Sequence, residues 1–187
     1  MSKSFFSIII LISISISLQA QKVEFEDKDG IDLFIFNMTG NRTELGLKNN
    51  TISCSNKLGN RTYLNSKSEI IYRASVKPNH ISLYTYPGSK QLYRIALKKN
   101  RYSISSPNGL LFTLRVDKLK GSLSDKNGKN IASAHYNSLS NNIKGNSNNK
   151  HIIYKWPKAN FAGLLWFATD IEPVIKMILI HEILTQN

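Results

Sequence analysis

A sequence repeat constrains the fold of this chain most strongly: a unit of about twenty residues occurs three times between residues 71 and 128. With a shift of nineteen and no gap, residues 92–109 align on residues 111–128; with a shift of twenty-one, residues 71–88 align on residues 92–109. Each unit alternates apolar and polar residues, turns, alternates again and ends at a glycine. Because alternation with period two is typical of half-buried strands, each unit predicts two strands joined by a hairpin.

The two faces of the predicted strands differ in polarity. Tyr72, Ala74 and Val76 form an apolar face in the first unit, and the other two units repeat this pattern. The opposite face carries arginine, lysine and serine. A sheet with one buried and one solvated face is typically antiparallel. The repeats therefore predict an antiparallel meander.

The flanking segments add further predicted strands. The DKDG turn at residues 27–30 has the shape of the DKNG turn at 125–128, so we expect a hairpin there, and weak strands near 44–47 and 51–54. The polar, low-complexity segment 138–150 predicts a mobile loop. A last strand is expected at residues 151–156, ended by Pro157.

The C-terminal segment predicts a buried helix at about residues 171–184, with Asp170 as its N-cap. Apolar side chains cover most of its circumference, with Lys176, His181 and Glu182 as exceptions. Such a helix is buried in a core or in a membrane, and its ionisable residues argue against a membrane span. We therefore predict a mainly β fold, an antiparallel meander closing into a β-barrel around the C-terminal helix, with residues 21–64 completing the ring.

Residues 1–20 have the pattern of a secretory signal peptide: Lys3, an apolar core at 5–18, and Ala20 at the cleavage point. An uncleaved membrane anchor is the alternative, but this core is shorter than the roughly 20 residues that a bilayer span needs. The prediction is an exported protein (secreted, periplasmic or attached to the cell envelope) with a single domain at 21–187. Sequons stand at Asn37, Asn41, Asn49 and Asn60, and their use depends on the cell.

Charge is distributed unevenly along the chain. Of the formal net charge of +13, the excess lies in residues 46–160, which hold twenty bases and three acids. Such a field attracts anionic surfaces, so an anionic membrane surface or an acidic glycan is the expected partner; export disfavours nucleic acid. The alternative is a solvated surface with no specific partner. The candidate anion-binding residues are Arg73, Lys77, Arg94, Lys98, Lys99, Arg101, Arg115, Lys118 and Lys120.

No motif in the chain predicts catalysis, a metal or a cofactor. The four histidines are spread singly, and no phosphate loop or nucleophile elbow is present. His181 is expected to be a hydrogen-bonded structural residue, and the lone Cys54 a buried one. A hydrolase site near His135 and His151 would require the two rings to meet beside a carboxylate. We therefore predict a non-enzymatic binding domain; the alternative is a structural or protein-interaction module of the cell envelope.

The tandem units LYRIALKKNRYSISSPNG and LFTLRVDKLKGSLSDKNG, with the tail TDIEPVIKMILIHEIL, resemble the tubby-like superfamily, particularly its LURP-one-related and small bacterial relatives. The resemblance covers about residues 69–187 and lies in the pattern of the units. It implies a β-barrel threaded by a hydrophobic helix and, as in the phosphoinositide-binding members, a basic surface site for lipid headgroups. No site residue is matched individually. The signal peptide is a departure, since those members face the cytosol.

Overall fold

Fourteen antiparallel strands close into one barrel in the computed structural model, which describes residues 21–48, 50–57 and 59–186. The strands are β1 Gln21–Glu26, β2 Asp32–Thr39, β3 Arg42–Leu47, β4 Asn50–Lys57, β5 Asn60–Leu64, β6 Ile70–Lys77, β7 His80–Thr85, β8 Gln91–Lys98, β9 Arg101–Ser106, β10 Gly109–Asp117, β11 Lys120–Asp125, β12 Asn130–Asn137, β13 Asn142–Ser147 and β14 Lys150–Lys155. Each strand pairs with its neighbours in sequence, and β1 closes the ring by pairing with β14. The predicted fold class is confirmed, and β1 to β5 complete the ring as expected.

The three repeat units form hairpins with the same register. Ile95 lies opposite Ile104, and nineteen residues later Leu114 lies opposite Leu123. Gly109 and Gly128, which end two of the units, have φ angles of 124° and 81°. Side chains other than glycine rarely adopt such angles, so the repeated glycine marks a turn position that favours glycine.

Two helical segments fill the barrel: a short 3-10 helix at Ala162–Phe167 and α1 at Pro173–Leu184. Nine of the twelve residues of α1 are buried, which explains why the helix is apolar nearly all round. The helix begins two residues later than predicted. Asp170 is not its N-cap: Glu172 occupies that position, makes no capping side-chain bond and precedes a proline at the first helical position.

The prediction of a mobile loop at 138–150 is wrong, because β13 lies within it. Its inward positions include Ile143 and Gly145. A Cβ on Gly145 would lie 2.8 Å from Ile152 Cγ2 and 2.9 Å from Leu164 Cδ2, so the wall has no room for a side chain there. Glycine at an inward position makes this strand look polar in sequence. For a related reason β5, with Arg61 pointing inward, was not predicted either.

Residues 1–20 and Asn49 lie outside the described residues, so the signal peptide and that sequon remain predictions. The sequon asparagines Asn37, Asn41 and Asn60 are exposed. Within the described ranges, no helix has both the length and the apolar character to cross a bilayer.

Candidate functional site

The two ends of the barrel carry different charge. Because neighbouring strands run in opposite directions, successive hairpins turn at alternate ends. The hairpins β2–β3, β4–β5, β6–β7, β8–β9, β10–β11 and β12–β13 share one end with the start of β1 and the end of β14. We call this end, comprising the turns and the strand residues that flank them, the basic rim.

The basic rim holds nine bases and, among its described residues, one acid, Asp117. The bases are Arg42, Lys57, Lys77, Lys98, Lys99, Arg101, Lys118, Lys120 and Lys155. The opposite rim, bounded in the same way, holds six acids (Glu26, Asp27, Asp29, Asp32, Glu69 and Asp125) and seven bases (Lys28, Lys48, Lys67, Lys90, Lys126, Lys129 and Lys150). The positive charge of the barrel is therefore concentrated at one end.

All nine candidate anion-binding residues are exposed, but they do not form one group. Lys77, Lys98, Lys99, Arg101, Lys118 and Lys120 belong to the basic rim. Arg115 lies beside the rim, directly opposite Arg101. Arg94 lies further along the outer wall, opposite Ser82 and Ser105. Arg73 stands apart and packs its guanidinium over the ring of Tyr86, 4.2 Å from the centroid.

Three of these bases form a row across neighbouring strands. Lys98 lies opposite Arg101, which in turn lies opposite Arg115. Neighbouring strands are about 4.8 Å apart, so these like charges repel one another. None of the three forms an ion pair in the described structure. An anionic partner would therefore relieve a repulsion that the protein leaves uncompensated.

A shallow groove on the outer wall adjoins the basic rim. It encloses about 1030 Å³ and is lined by Arg94, Lys98, Lys99, Arg101 and Arg115, together with the acid Asp117. A second groove, of about 750 Å³, continues it past Arg115 and Asp117 toward β13. The basic surface thus extends from the rim onto the adjacent wall.

A second polar cluster lies inside the barrel, at the C-terminal end of α1. Arg61 Nη1 donates to Glu182 Oε2 at 2.5 Å and to Thr185 Oγ1 at 2.7 Å. The Tyr63 hydroxyl donates to Glu182 Oε1, also at 2.5 Å. The hydroxyl has one hydrogen, so it must accept from the Nδ1–H of His181, 2.9 Å away. His181 Nε2 is then unprotonated and accepts from the Thr43 hydroxyl at 3.2 Å.

Burial controls the protonation of this buried polar cluster. It lowers the pKa of His181 to about 3, and the nearby Arg61 acts in the same direction. Burial also raises the pKa of Glu182, whereas Arg61 and the hydrogen bond from Tyr63 lower it. The pKa of the Cys54 thiol is raised to about 12, again mainly by burial. Cys54 is thus a buried thiol held protonated and unreactive.

The buried polar cluster is closed to solvent and fully bonded. Arg61 is 8% exposed, His181 2% and Glu182 0%. No buried side-chain nitrogen or oxygen in the described part of the chain lacks a hydrogen-bond partner. His181 is bonded through both ring nitrogens, as a structural histidine would be. We interpret the cluster as the anchor that fixes α1 against β3 and β5.

Sequence reasoning missed Arg61 and Glu182 because a charged residue in a turn-rich segment or on a helix usually lies at the surface. One feature of the sequence does indicate that Arg61 is buried. Arg61 and Tyr63 are two residues apart on one strand, so they share a face, and a buried Tyr63 implies an inward Arg61.

His135 and His151 are not brought together. Both lie on the outer wall, two strands apart, with Lys120 and Lys144 flanking His135 in register. His151 bonds Asn146 through Nδ1 at 2.6 Å. Over the described ranges, no group of three or more histidine, cysteine or acidic side chains is arranged to hold a metal ion.

Comparisons with known proteins add little. No protein-family model and no curated protein matches the chain. Among solved structures, the chain is similar to the X-ray structure of a protein from Arabidopsis thaliana, with 11% identity and a TM-score of 0.38. The match covers 68% of this chain and 87% of that one. The likeness is distant.

Proposed function

We propose that this protein is a non-enzymatic, exported binding domain that docks onto an anionic surface, such as a phospholipid membrane, through its basic rim. The observation that carries the proposal is the difference between the rims: nine bases and one acid at one end, seven bases and six acids at the other. A surface whose charges served only solubility would not need its bases concentrated at one end.

The placement of the bases favours a surface over a small ligand. They stand on five of the six hairpins around one end of the barrel and at the end of β14, so a flat partner can approach many of them together, whereas a small anion could contact only a few. Each lysine or arginine near an anionic bilayer contributes about 1 kcal/mol. A rim with a net charge of +8 can therefore hold the protein on such a surface without a dedicated pocket.

The position of β1 is compatible with an orientation in which the basic rim faces the membrane. Gln21 pairs with Met38 near the end of β2, so the first described residue lies at the basic rim. In the alternative in which residues 1–20 remain as an anchor, they would join the barrel at the end that we propose faces the membrane.

We also propose membership of the tubby-like superfamily. The tandem units and the hydrophobic tail support it, as does the architecture of a closed barrel around a C-terminal helix.

The test is co-sedimentation of the mature protein with vesicles at low and high salt. Binding to anionic vesicles should fall steeply with ionic strength, because the Debye length shortens from about 30 Å at 0.01 M to about 8 Å at 0.15 M. Neutral vesicles should not bind. Heparin is tested as a ligand by itself: binding to heparin without binding to anionic vesicles would favour an acidic glycan as the partner.

A pair of charge reversals separates the rim from overall charge. Lys98→Glu with Arg101→Glu changes the basic rim, while Lys126→Glu with Lys129→Glu makes the same change in net charge at the opposite rim. The first variant replaces two attractions by two repulsions, about 4 kcal/mol in all, so affinity should fall several hundredfold, by roughly three powers of ten. The control should lose much less. Equal losses in both would contradict a docking rim. If the wild type binds neither anionic nor neutral vesicles, the alternative of a structural or protein-interaction module remains.

A further inference from the structure

We propose that Leu119 and Leu139, at the tips of two adjacent hairpins of the basic rim, insert into the bilayer when the rim docks. This inference rests on the proposed function and deepens it, because it commits the partner to a lipid surface with an apolar interior. A soluble polyanion has no phase that could receive a leucine side chain.

The exposure of the two leucines is unusual for their size. Leu139 is 96% exposed and Leu119 is 44% exposed. A single exposed leucine needs no explanation in a soluble protein. Here, however, both stand at hairpin tips at the same end of the barrel, and Leu119 has a lysine on each side.

The loop that carries Leu139 is held in place. The Asn137 side chain accepts hydrogen bonds from the backbone N–H groups of Leu139 at 3.0 Å and Ser140 at 3.3 Å. At the other end of the turn, the Tyr136 hydroxyl donates to the Asn141 side chain at 2.8 Å. The leucine is thus presented to solvent by a braced turn.

The two tips are also fixed relative to each other. The backbone N–H of Tyr136, in β12, donates to the carbonyl oxygen of Leu119 at 2.9 Å. The hairpins β10–β11 and β12–β13 are neighbours in the barrel, so both leucines lie on the same sector of the rim. Lys118 and Lys120 flank one of them directly.

A membrane surface matches this combination chemically. Basic side chains interact with anionic headgroups, while apolar side chains between them reach the boundary with the acyl chains. Stable attachment of a peripheral protein usually needs two such contributions, one apolar and one polybasic. The basic rim supplies the second and the leucines supply the first.

The opposite rim provides a matched control. Leu110 is 43% exposed, which matches Leu119, and Ile31 is 62% exposed, which lies between Leu119 and Leu139. Ile31 stands beside Asp29 and Asp32, an acidic setting that an anionic bilayer would repel. Exposed apolar residues at that end should therefore make no difference to docking.

The experiment compares two double variants. The rim variant carries Leu119→Ser and Leu139→Ser, and the control carries Ile31→Ser and Leu110→Ser. Transfer of one leucine side chain out of water corresponds to about a tenfold change in binding constant, so the rim variant should bind anionic vesicles about tenfold to a hundredfold more weakly. Its salt dependence should keep the wild-type slope, because no charge changes. The control should bind like the wild type.

A second readout reports insertion directly. Leu139→Cys is labelled with an environment-sensitive fluorophore; Cys54 is buried and should not react in the folded protein. Emission should shift to the blue on anionic vesicles and stay unchanged with heparin.

The outcomes separate the two proposals. Salt-sensitive binding that the serine variant does not weaken, together with an unshifted label, overturns insertion and leaves docking by charge intact. Weaker binding of the serine variant to heparin as well as to vesicles also overturns it, since the leucines would then act within the protein. If the wild type binds no anionic vesicle, the proposed function fails and insertion fails with it.

Discussion

Replacing Arg61 by methionine should destabilise the barrel strongly at neutral pH and much less at acidic pH. The guanidinium of Arg61 donates to the carboxylate of Glu182 at 2.5 Å, and both side chains are almost completely buried. The substitution keeps most of the side-chain volume but leaves Glu182 with only the hydroxyl of Tyr63 as a partner.

The magnitude follows from the cost of an unpaired buried charge, which is about 3–5 kcal/mol. That is a large part of the roughly 5–15 kcal/mol by which typical domains are stable. The pKa of Glu182 is already raised by burial and is held down by Arg61. Without Arg61 it must rise further, so the variant binds a proton on folding at pH values where the unfolded chain does not. The loss of stability relative to the wild type then shrinks as pH falls, by up to about 1.36 kcal/mol per pH unit.

Equilibrium unfolding in urea at pH 7 and pH 5 measures both effects. The loss at pH 7 should be about 3–5 kcal/mol, and it should shrink by up to about 2.7 kcal/mol at pH 5. Glu182→Gln is the complementary variant: it leaves the guanidinium of Arg61 buried and removes the only carboxyl group of the pair, and arginine cannot release its proton, so its cost should not shrink as pH falls. Arg94→Met makes the same chemical change at an exposed site and should cost less than about 0.5 kcal/mol.

Two results would refute this reasoning. A loss below about 1 kcal/mol at pH 7 would mean that Arg61 and Glu182 do not depend on each other for burial. Equal losses at pH 7 and pH 5 would mean that Glu182 does not take up a proton when its partner is removed.

Two further predictions concern the interior of the barrel. The pKa of His181 is about 3 in the folded protein and about 6.5 when unfolded, so its contribution to stability is complete above pH 6.5 and is lost as pH falls toward 3. In His181→Asn, the unfolding free energy should lack this loss, which amounts to up to about 1.4 kcal/mol per pH unit in the wild type. Parallel curves of unfolding free energy against pH for the two proteins would contradict the lowered pKa of His181. Gly121→Ala would place a Cβ 2.6 Å from Cβ of the buried Phe161 and closer still to its Cγ, so unfolding free energy should drop by about 1–3 kcal/mol or more. Gly46→Ala places its Cβ 3.9 Å from the nearest atom and should be nearly neutral. Equal effects of the two substitutions would contradict the close contact between Gly121 and Phe161.

The architecture was accessible from sequence because its main patterns are local and repeated. Alternation in the repeat units gives the strands, and the spacing between units gives their register, since Ile95 pairs with Ile104 as Leu114 pairs with Leu123. A helix apolar on all sides requires a surrounding layer, and a meandering sheet with one apolar face provides it.

The missed elements are those in which an inward position is occupied by an untypical residue. In β13 an inward glycine makes room for Ile152 and Leu164, and the strand then resembles a polar loop. In β5 an inward arginine is stabilised by Glu182, more than a hundred residues away. In both strands the residues that make the inward position possible lie outside the strand, so the pattern within the strand does not predict them.

The basic rim was only partly accessible. Sequence placed the bases on the outer face of the strands, which is where Arg94 and Arg115 lie. It did not group them by the end of the barrel to which each hairpin belongs. That grouping needs the direction of all fourteen strands, including β5 and β13, because one missing strand reverses the end assigned to every later hairpin.

The central claim is tested most directly by measuring the orientation of the protein on a bilayer, through hydrogen–deuterium exchange of residues 21–187, free and bound to anionic vesicles. Binding should slow exchange in the turns of the basic rim, at residues 99–100, 118–119 and 138–141. Exchange at the opposite rim, in the turns at 107–108 and 126–129, should stay unchanged. Protection confined to the opposite rim, or spread evenly over both, would contradict docking through the basic rim.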